Sequence, residues 1–161
     1  MKLIEKTVSL QVYENESMIS ADDLTLLQEA KLATKRAYAP YSKFFVGAAL
    51  RLANGEIISG NNQENAAYPS GLCAERVAMF YAGSQYPGVR IESIAITASS
   101  DVHDVNTPVM SCGGCLQAML EYENKQAQPM RVIMQGETGE VYIANDLSQL
   151  IPFRFQSLKS V

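Results

Sequence analysis

The chain is poor in the residues that mark several large protein classes. It has no tryptophan, a single histidine (His103) and three cysteines (Cys73, Cys112 and Cys115) in 161 residues. Three cysteines cannot all pair within one chain, so a disulfide framework is a poor reading. In a reducing compartment the set reads instead as metal ligands or redox thiols. No apolar run approaches the roughly 18–20 residues that span a bilayer. The opening Met1-Lys2-Leu3-Ile4-Glu5-Lys6 is charged too early to supply a secretory apolar core. The expectation is a soluble cytoplasmic protein with no membrane partner. Basic charge is short as well: 13 Lys and Arg stand against 17 Asp and Glu, a net charge of −4. Such a surface repels a phosphate backbone on average, which argues against a nucleic-acid polymer as partner. What remains, 47% hydrophobic and 19% charged residues with no repeat or low-complexity tract, suits an ordinary globular fold.

Residues 7–13 alternate, with Val8, Leu10 and Val12 against Thr7, Ser9 and Gln11, which is a period-2 strand signal. A single domain over residues 20–161 is expected, with residues 1–19 as an N-terminal extension available as an extra edge strand at a subunit contact. Ser20 is placed to cap a helix whose positive end favours Asp22 and Asp23. Leu24, Leu27, Lys31 and Thr34 form its stripe, Ala30, Ala33 and Ala37 allow close packing, and Pro40 ends the element. Apolar stretches at 45–52 and 56–60 flank Asn54-Gly55, a pair that relaxes into positive φ and predicts a hairpin. From Cys73 the spacing of Val77, Met79 and Phe80 is helical, with Gly83 as the stop. Residues 91–97 read as a buried strand and 112–123 as a helix with Cys115, Met119 and Tyr122 on one face. Strands at 131–134 and 141–144 and a short helix at 147–151 complete the order. That order predicts an α/β fold, a three-layer α-β-α sandwich around a mixed sheet of about five strands.

The chemistry is concentrated in Cys73-Ala74-Glu75-Arg76 and Cys112-Gly113-Gly114-Cys115. Cys112 and Cys115 are three apart and share one face of a helix start. Both segments fall at expected helix N-termini, where unpaired N–H groups lower a thiol's pKa and prepare it for a soft metal. Zinc(II) held by three sulfurs keeps a fourth tetrahedral position for water, the catalytic rather than the closed arrangement. It lowers the pKa of that water to roughly 7. Glu75, two residues after Cys73, can take up and return the proton. Zinc, three thiolates and a hydroxide together carry a formal charge of about −2. Arg76 and two helix N-termini of about +0.5 each offset it. Arg76 is therefore inferred to hydrogen-bond the ligand sulfurs.

These segments resemble the zinc-dependent cytidine deaminases, whose signature is a ligand-x-Glu segment followed by Pro-Cys-x-x-Cys. The resemblance extends to Tyr41-Ser42-Lys43-Phe44-Phe45-Val46-Gly47-Ala48-Ala49-Leu50, to Asn62-Gln63-Glu64-Asn65-Ala66-Ala67-Tyr68 and to Leu150-Ile151-Pro152-Phe153-Arg154-Phe155. It thus covers roughly residues 20–156, with four motifs in the family's order. It implies one Zn2+ per chain on Cys73, Cys112 and Cys115, and a nucleoside substrate. Glu75 would be the catalytic acid–base. Asn62 and Glu64 would hydrogen-bond the ribose 3′-hydroxyl, Phe44 would lie against the pyrimidine, and the backbone N–H of Ala74 would hold the base's O2. A homotetramer is implied, with Phe155 stacking into a neighbouring subunit's site. The implied reaction converts cytidine or 2′-deoxycytidine to the uridine nucleoside and ammonia, a step of pyrimidine salvage.

The chain departs from the family's pattern at Ser111, in place of the proline before the paired cysteines, at Leu116 in place of an arginine, and at Gln63 in place of a small apolar residue. Loss of the proline loosens the loop beside the amine. Within the same class, a deaminase of an antibiotic nucleoside such as blasticidin S is the alternative, although that type does not share Asn62-Gln63-Glu64-Asn65. Two readings of other classes also fit part of the pattern. A redox protein would cycle Cys112 and Cys115 through a disulfide but gives no role to Cys73, Glu75 or Arg76. A structural zinc module would recruit His103 as a fourth ligand and would waste Glu75. The substitution His103→Ala separates the last reading: zinc content and turnover are expected to stay at wild-type levels, and loss of metal would favour the closed module.

Overall fold

The structure, a computed structural model, describes residues 1–155, so residues 156–161 of the expected domain lie outside it. Strands β1 (Gln11–Tyr13), β2 (Phe44–Leu52), β3 (Ile57–Asn61), β4 (Ile91–Ser100), β5 (Arg131–Gln135) and β6 (Val141–Ala144) form one sheet in the order β1-β6-β5-β4-β2-β3. Only the β4/β5 pair is parallel, and its crossover contains a helix, as a parallel connection requires. Helices α1 (Ala21–Thr34), α2 (Ala74–Gln85) and α3 (Gly113–Gln126) cover the two faces.

The division between faces follows the two-residue period of a strand. Ala48, Leu50, Leu52, Ile94, Ile96, Val132 and Met134 point to the side of α2 and α3, where they pack with Ala78, Met79, Cys115 and Met119. Ala49, Ala95, Ile133 and Ile143 point to the other side, against Leu26, Leu27 and Ala30 of α1. With both faces covered, the central strands read as near-continuous apolar runs, and the three-layer sandwich is as expected.

The sheet has six strands rather than about five. The sixth is β1, which pairs antiparallel with β6 and lies at the edge. It is shorter than the alternating stretch 7–13, because only residues 11–13 meet the ladder of β6. Leu10 packs on the core beside it, and the backbone N–H of Ser9 donates to Gln149 Oε1 at 2.7 Å.

Helix α1 begins as its sequence signals, with the Ser20 hydroxyl accepting from Asp23 N–H at 3.1 Å. Its buried face is centred on Leu26, Leu27, Ala30 and Ala33 rather than on Leu24 and Lys31, which lie at the margin. Ala37 falls outside the helix. Small residues face the sheet because the backbones approach closely there. The expected stop of α2 at Gly83 is also displaced. The helix runs on to Gln85, and Gly83 is an interior position where Tyr122 of α3 crosses; a Cβ there would meet Tyr122 Oη at 2.4 Å. Phe80 is exposed, and Ala78, Met79 and Ala82 take the core face.

The hairpin turns at Asn54-Gly55 with Gly55 at φ +89°, and the Asn54 side chain accepts from Glu56 N–H. One further glycine sets the position of α2. A Cβ on Gly60 of β3 would lie 2.6 Å from Ala78 N and 2.8 Å from Ala74 O, both backbone atoms of α2. Gly60→Ala must therefore push the helix away from the sheet. We expect a loss of about 2–3 kcal/mol in stability, the cost of overpacking against rigid backbone, measured by chemical denaturation. A loss under about 0.5 kcal/mol would show that the layers do not meet there.

Candidate active site

Strand β2 runs antiparallel to both β3 and β4, so it begins where they end. Phe44 opens β2 opposite Ser100, the last residue of β4, and Asn62 follows directly on β3. Helices α2 and α3 start at this same end of the sheet, each after a loop that leaves β3 or β4. The fold thus gathers segments far apart in sequence around one cavity of about 590 Å³. Phe44, Asn62, Glu64, Cys73, Glu75, Arg76 and Cys112 all line it.

The two expected helix starts are realised residue for residue. Cys73 is the cap residue of α2 and Cys112 that of α3, both with extended backbone. Cys115 lies one turn into α3 and is fully buried. The three Sγ atoms are within 4.8 Å of one another, with Cys73 and Cys112 at 3.9 Å. Tetrahedral coordination with zinc–sulfur bonds of roughly 2.3 Å needs sulfurs about 3.8 Å apart, so the cluster fits one such ion. It is the only group of three or more such ligand side chains among the described residues, and His103, exposed in the loop after β4, has no part in it.

The electrostatics favour a thiolate at Cys73. The Cys73 thiol is brought down to about 5, first because Cys115 donates to it and then because of Arg76, whose Nη2 lies 3.6 Å from its sulfur. Cys115 is pushed the other way, by its hydrogen bond to Cys73, by burial and by the nearby Glu75 charge. Arg76 is held more firmly in its charged form by the Cys73 sulfur. Its Nε is buried with no partner among the described residues, which leaves the guanidinium directed at the sulfur cluster. Glu75, in the first turn of α2, is 4% exposed yet reaches the cavity. Ala74 is the first residue of that helix and is fully buried, so its N–H belongs to the unpaired set at a helix start.

The wall opposite the cysteines is zipped by backbone and side-chain hydrogen bonds. Asn62 continues the ladder of β2 beyond β3: its Oδ1 accepts from Val46 N–H at 2.8 Å and its Nδ2 donates to Phe44 O at 2.9 Å. Gln63 exchanges two backbone hydrogen bonds of 2.9 Å with Leu72, the residue before Cys73. Glu64 Oε2 accepts from Tyr41 N–H at 2.9 Å and Ser42 N–H at 3.3 Å, and its carboxyl is held below the usual range first by the Ser42 hydroxyl. Tyr41 and Tyr68 meet edge to face at the mouth, with centroids 6.4 Å apart.

Phe155 is the expected site residue that the chain does not bring to its own cavity. It is 76% exposed, with its carbonyl accepting from Gln117 Nε2 at 3.4 Å. Conversely, Tyr41, Tyr68, Leu72, Val109 and Met110 line the cavity without having been assigned a role from sequence. Tyr41 and Tyr68 stood inside motifs already noted, whereas Val109 and Met110 reach the cavity through the path of a loop, which no local pattern encodes.

Three comparisons bear on the site. The family profile described as the cytidine and deoxycytidylate deaminase zinc-binding region matches residues 20–130. A cytidine deaminase of Halalkalibacterium halodurans is 39% identical over 134 residues, 83% of this chain and 94% of that protein. One from Sporosarcina psychrophila is 40% identical over 131 residues, 81% of this chain and 88% of that protein. The crystal structure of cytidine deaminase from Burkholderia pseudomallei superposes with a TM-score of 0.70 at 34% identity, covering 85% of this chain and all of that one.

Cys112 is exposed, so its replacement leaves the core intact. Cys112→Ala is expected to keep a wild-type circular dichroism spectrum while bound zinc falls from about one per chain to below about 0.2, because three ligands are the minimum for a catalytic site. Elemental analysis of the purified variant checks it, and full zinc occupancy would remove Cys112 from the ligand set.

Proposed function

The chain belongs to the cytidine and deoxycytidylate deaminase zinc-binding family, and from that premise we propose that it hydrolyses the exocyclic amine of cytidine and 2′-deoxycytidine. The products are the uridine nucleosides and ammonia, which fits pyrimidine salvage in the cytoplasm. The observation that carries this reading is the cluster of three cysteine sulfurs, two of which, Cys73 and Cys112, line the same cavity as Glu75.

Cys73, Cys112 and Cys115 hold the zinc. When bound, that ion supplies Lewis acidity and a water acidic enough to attack at neutral pH. Arg76 keeps the Cys73 sulfur charged and offsets the surplus of three thiolates, a task shared with the N-termini of α2 and α3. Glu75 moves the protons. Its carboxylate takes one from the attacking water and delivers it to N3 of the pyrimidine as C4 is attacked. It then takes the remaining proton from the new C4 hydroxyl and passes it to the amine, which leaves as ammonia as the C4 carbonyl forms. Burial of Glu75 at 4% exposure keeps bulk water from competing for these transfers.

Substrate recognition is assigned to the opposite wall. Phe44 lies along the pyrimidine, while from the cysteine side the Ala74 N–H, at the start of α2, donates to O2. Asn62 has one amide hydrogen and one lone pair left after bonding β2, and these, with Glu64, take the ribose 3′-hydroxyl. A carboxylate at that position accepts from a hydroxyl and repels a phosphate, which favours a free nucleoside over a nucleotide chain. Phe155 is assigned to the site of a neighbouring subunit in a homotetramer. The exposed Tyr68, Phe80, Tyr81, Phe153 and Phe155 supply apolar surface for that association. Residues 1–19, which precede the family match, are read as an appendage that adds β1 to the sheet edge.

A dithiol redox role leaves Glu75 and Arg76 unused, and a closed zinc module lacks its fourth ligand among the described residues. Glu75→Gln tests the reaction itself. Zinc content and nucleoside binding are expected to persist, while kcat falls by about 10²–10⁴, the range for loss of acid–base catalysis. Turnover near wild type in a zinc-replete preparation would refute the assignment.

A further inference from the structure

We propose that Ser42 is a positioning residue, whose hydroxyl sets the Glu64 carboxylate and the start of β2 in one geometry and so tunes recognition of the sugar's 3′-hydroxyl. The proposal rests on the reading of Glu64 given above and deepens it.

The argument begins with the loop before β2. Lys43 adopts φ +54°, a left-handed conformation that non-glycine residues enter only when their surroundings impose it. On one side of Lys43 the Ser42 hydroxyl accepts from Phe44 N–H at 3.1 Å, bridging the turn. On the other side Lys43 O accepts from the Ser100 hydroxyl at 2.9 Å, tying the turn to the end of β4. The turn is thus fastened at both flanks.

The same Ser42 hydroxyl has one proton to give, and it gives it to Glu64 Oε1. Glu64 Oε2 is taken up by Tyr41 N–H and Ser42 N–H. A carboxylate offers about four lone-pair sites, so three are filled from residues 41 and 42 and about one is left for substrate. The direction of that remaining site is set by the three bonds already made. Ser42 is the one side chain among the described residues that hydrogen-bonds both Glu64, assigned to the sugar, and the backbone of Phe44, whose ring is assigned to the base. Its hydroxyl therefore couples the positions of the two halves of the nucleoside.

A merely structural serine would affect every substrate alike, whereas this one acts on the 3′-hydroxyl. The test compares cytidine with 3′-deoxycytidine in wild type, Ser42→Ala, Ser42→Thr and Glu64→Gln. Ser42→Ala is expected to raise KM for cytidine by about threefold to tenfold with kcat nearly unchanged, the scale of one misplaced hydrogen bond to a charged group. With 3′-deoxycytidine, which lacks the hydroxyl that Glu64 accepts from, the same substitution is expected to raise KM at least threefold less. Ser42→Thr keeps a hydroxyl and is expected to restore KM for cytidine to within about twofold of wild type. Equal KM penalties on the two substrates for Ser42→Ala, beside unequal ones for Glu64→Gln, would overturn the proposal and leave the role of Glu64 standing. Equal penalties for Glu64→Gln would overturn both.

Discussion

Two cysteines occupy the positions immediately before α2 and α3, and both helices start at the same end of the sheet. That meeting of two helix N-termini is the constraint on which the site depends. A thiol at such a position faces unpaired N–H groups and the positive end of a helix, both of which favour the thiolate. With Cys115 one turn further along α3, the three sulfurs fall within 4.8 Å of one another. Arg76, on the first turn of α2, then supplies a full positive charge at the sulfur of Cys73. The charge problem of a three-thiolate centre is thus met by backbone and one side chain together.

The sheet makes this meeting possible through close approach. Gly60 lets the first turn of α2 lie against β3, and small residues on α1 let the other layer do the same. The facing wall is rigid for a different reason. Asn62 takes over the hydrogen bonds of β2 where β3 stops, and Glu64 gathers the loop at residues 41 and 42. Both side chains assigned to the sugar are therefore also part of the local framework. Polar groups committed in this way lose little further freedom on binding, which lowers the ordering cost of recognition.

Much of this was legible in the residues, and the exceptions have physical causes. The hairpin at Asn54-Gly55, the helix cap at Ser20 and the three strands at the centre follow from local pattern, because each depends on neighbours within a few positions. The clustering of Cys73, Cys112 and Cys115 was legible because their spacing is tied to helix starts and because the segments resemble a known signature. Other features depend on tertiary partners. The buried stripe of α1 shifted toward Leu26 and Ala30 because packing distance to the sheet, rather than side-chain bulk, decided which face turned inward. Gly83 failed as a helix stop because the Tyr122 ring fills the space its missing side chain leaves. The alternation at 7–13 signalled the N-terminal edge strand, but neither its partner β6 nor its restriction to residues 11–13 is set by any local pattern. Val109 and Met110 reach the cavity only because the long loop after β4 folds back over it. Ser42 sat within a noted motif, yet its link to Glu64 spans 22 residues and is visible only in three dimensions.

The central claim is a zinc ion gripped by three sulfurs with one corner open, and X-ray absorption at the zinc edge tests it most directly. The account predicts three sulfur scatterers at about 2.3 Å and one oxygen or nitrogen near 2.0 Å in the purified protein, with the light scatterer exchanging for an added nucleoside analogue that bears a hydroxyl at C4. A shell of four protein ligands that no nucleoside analogue perturbs, or fewer than three sulfurs, would contradict it.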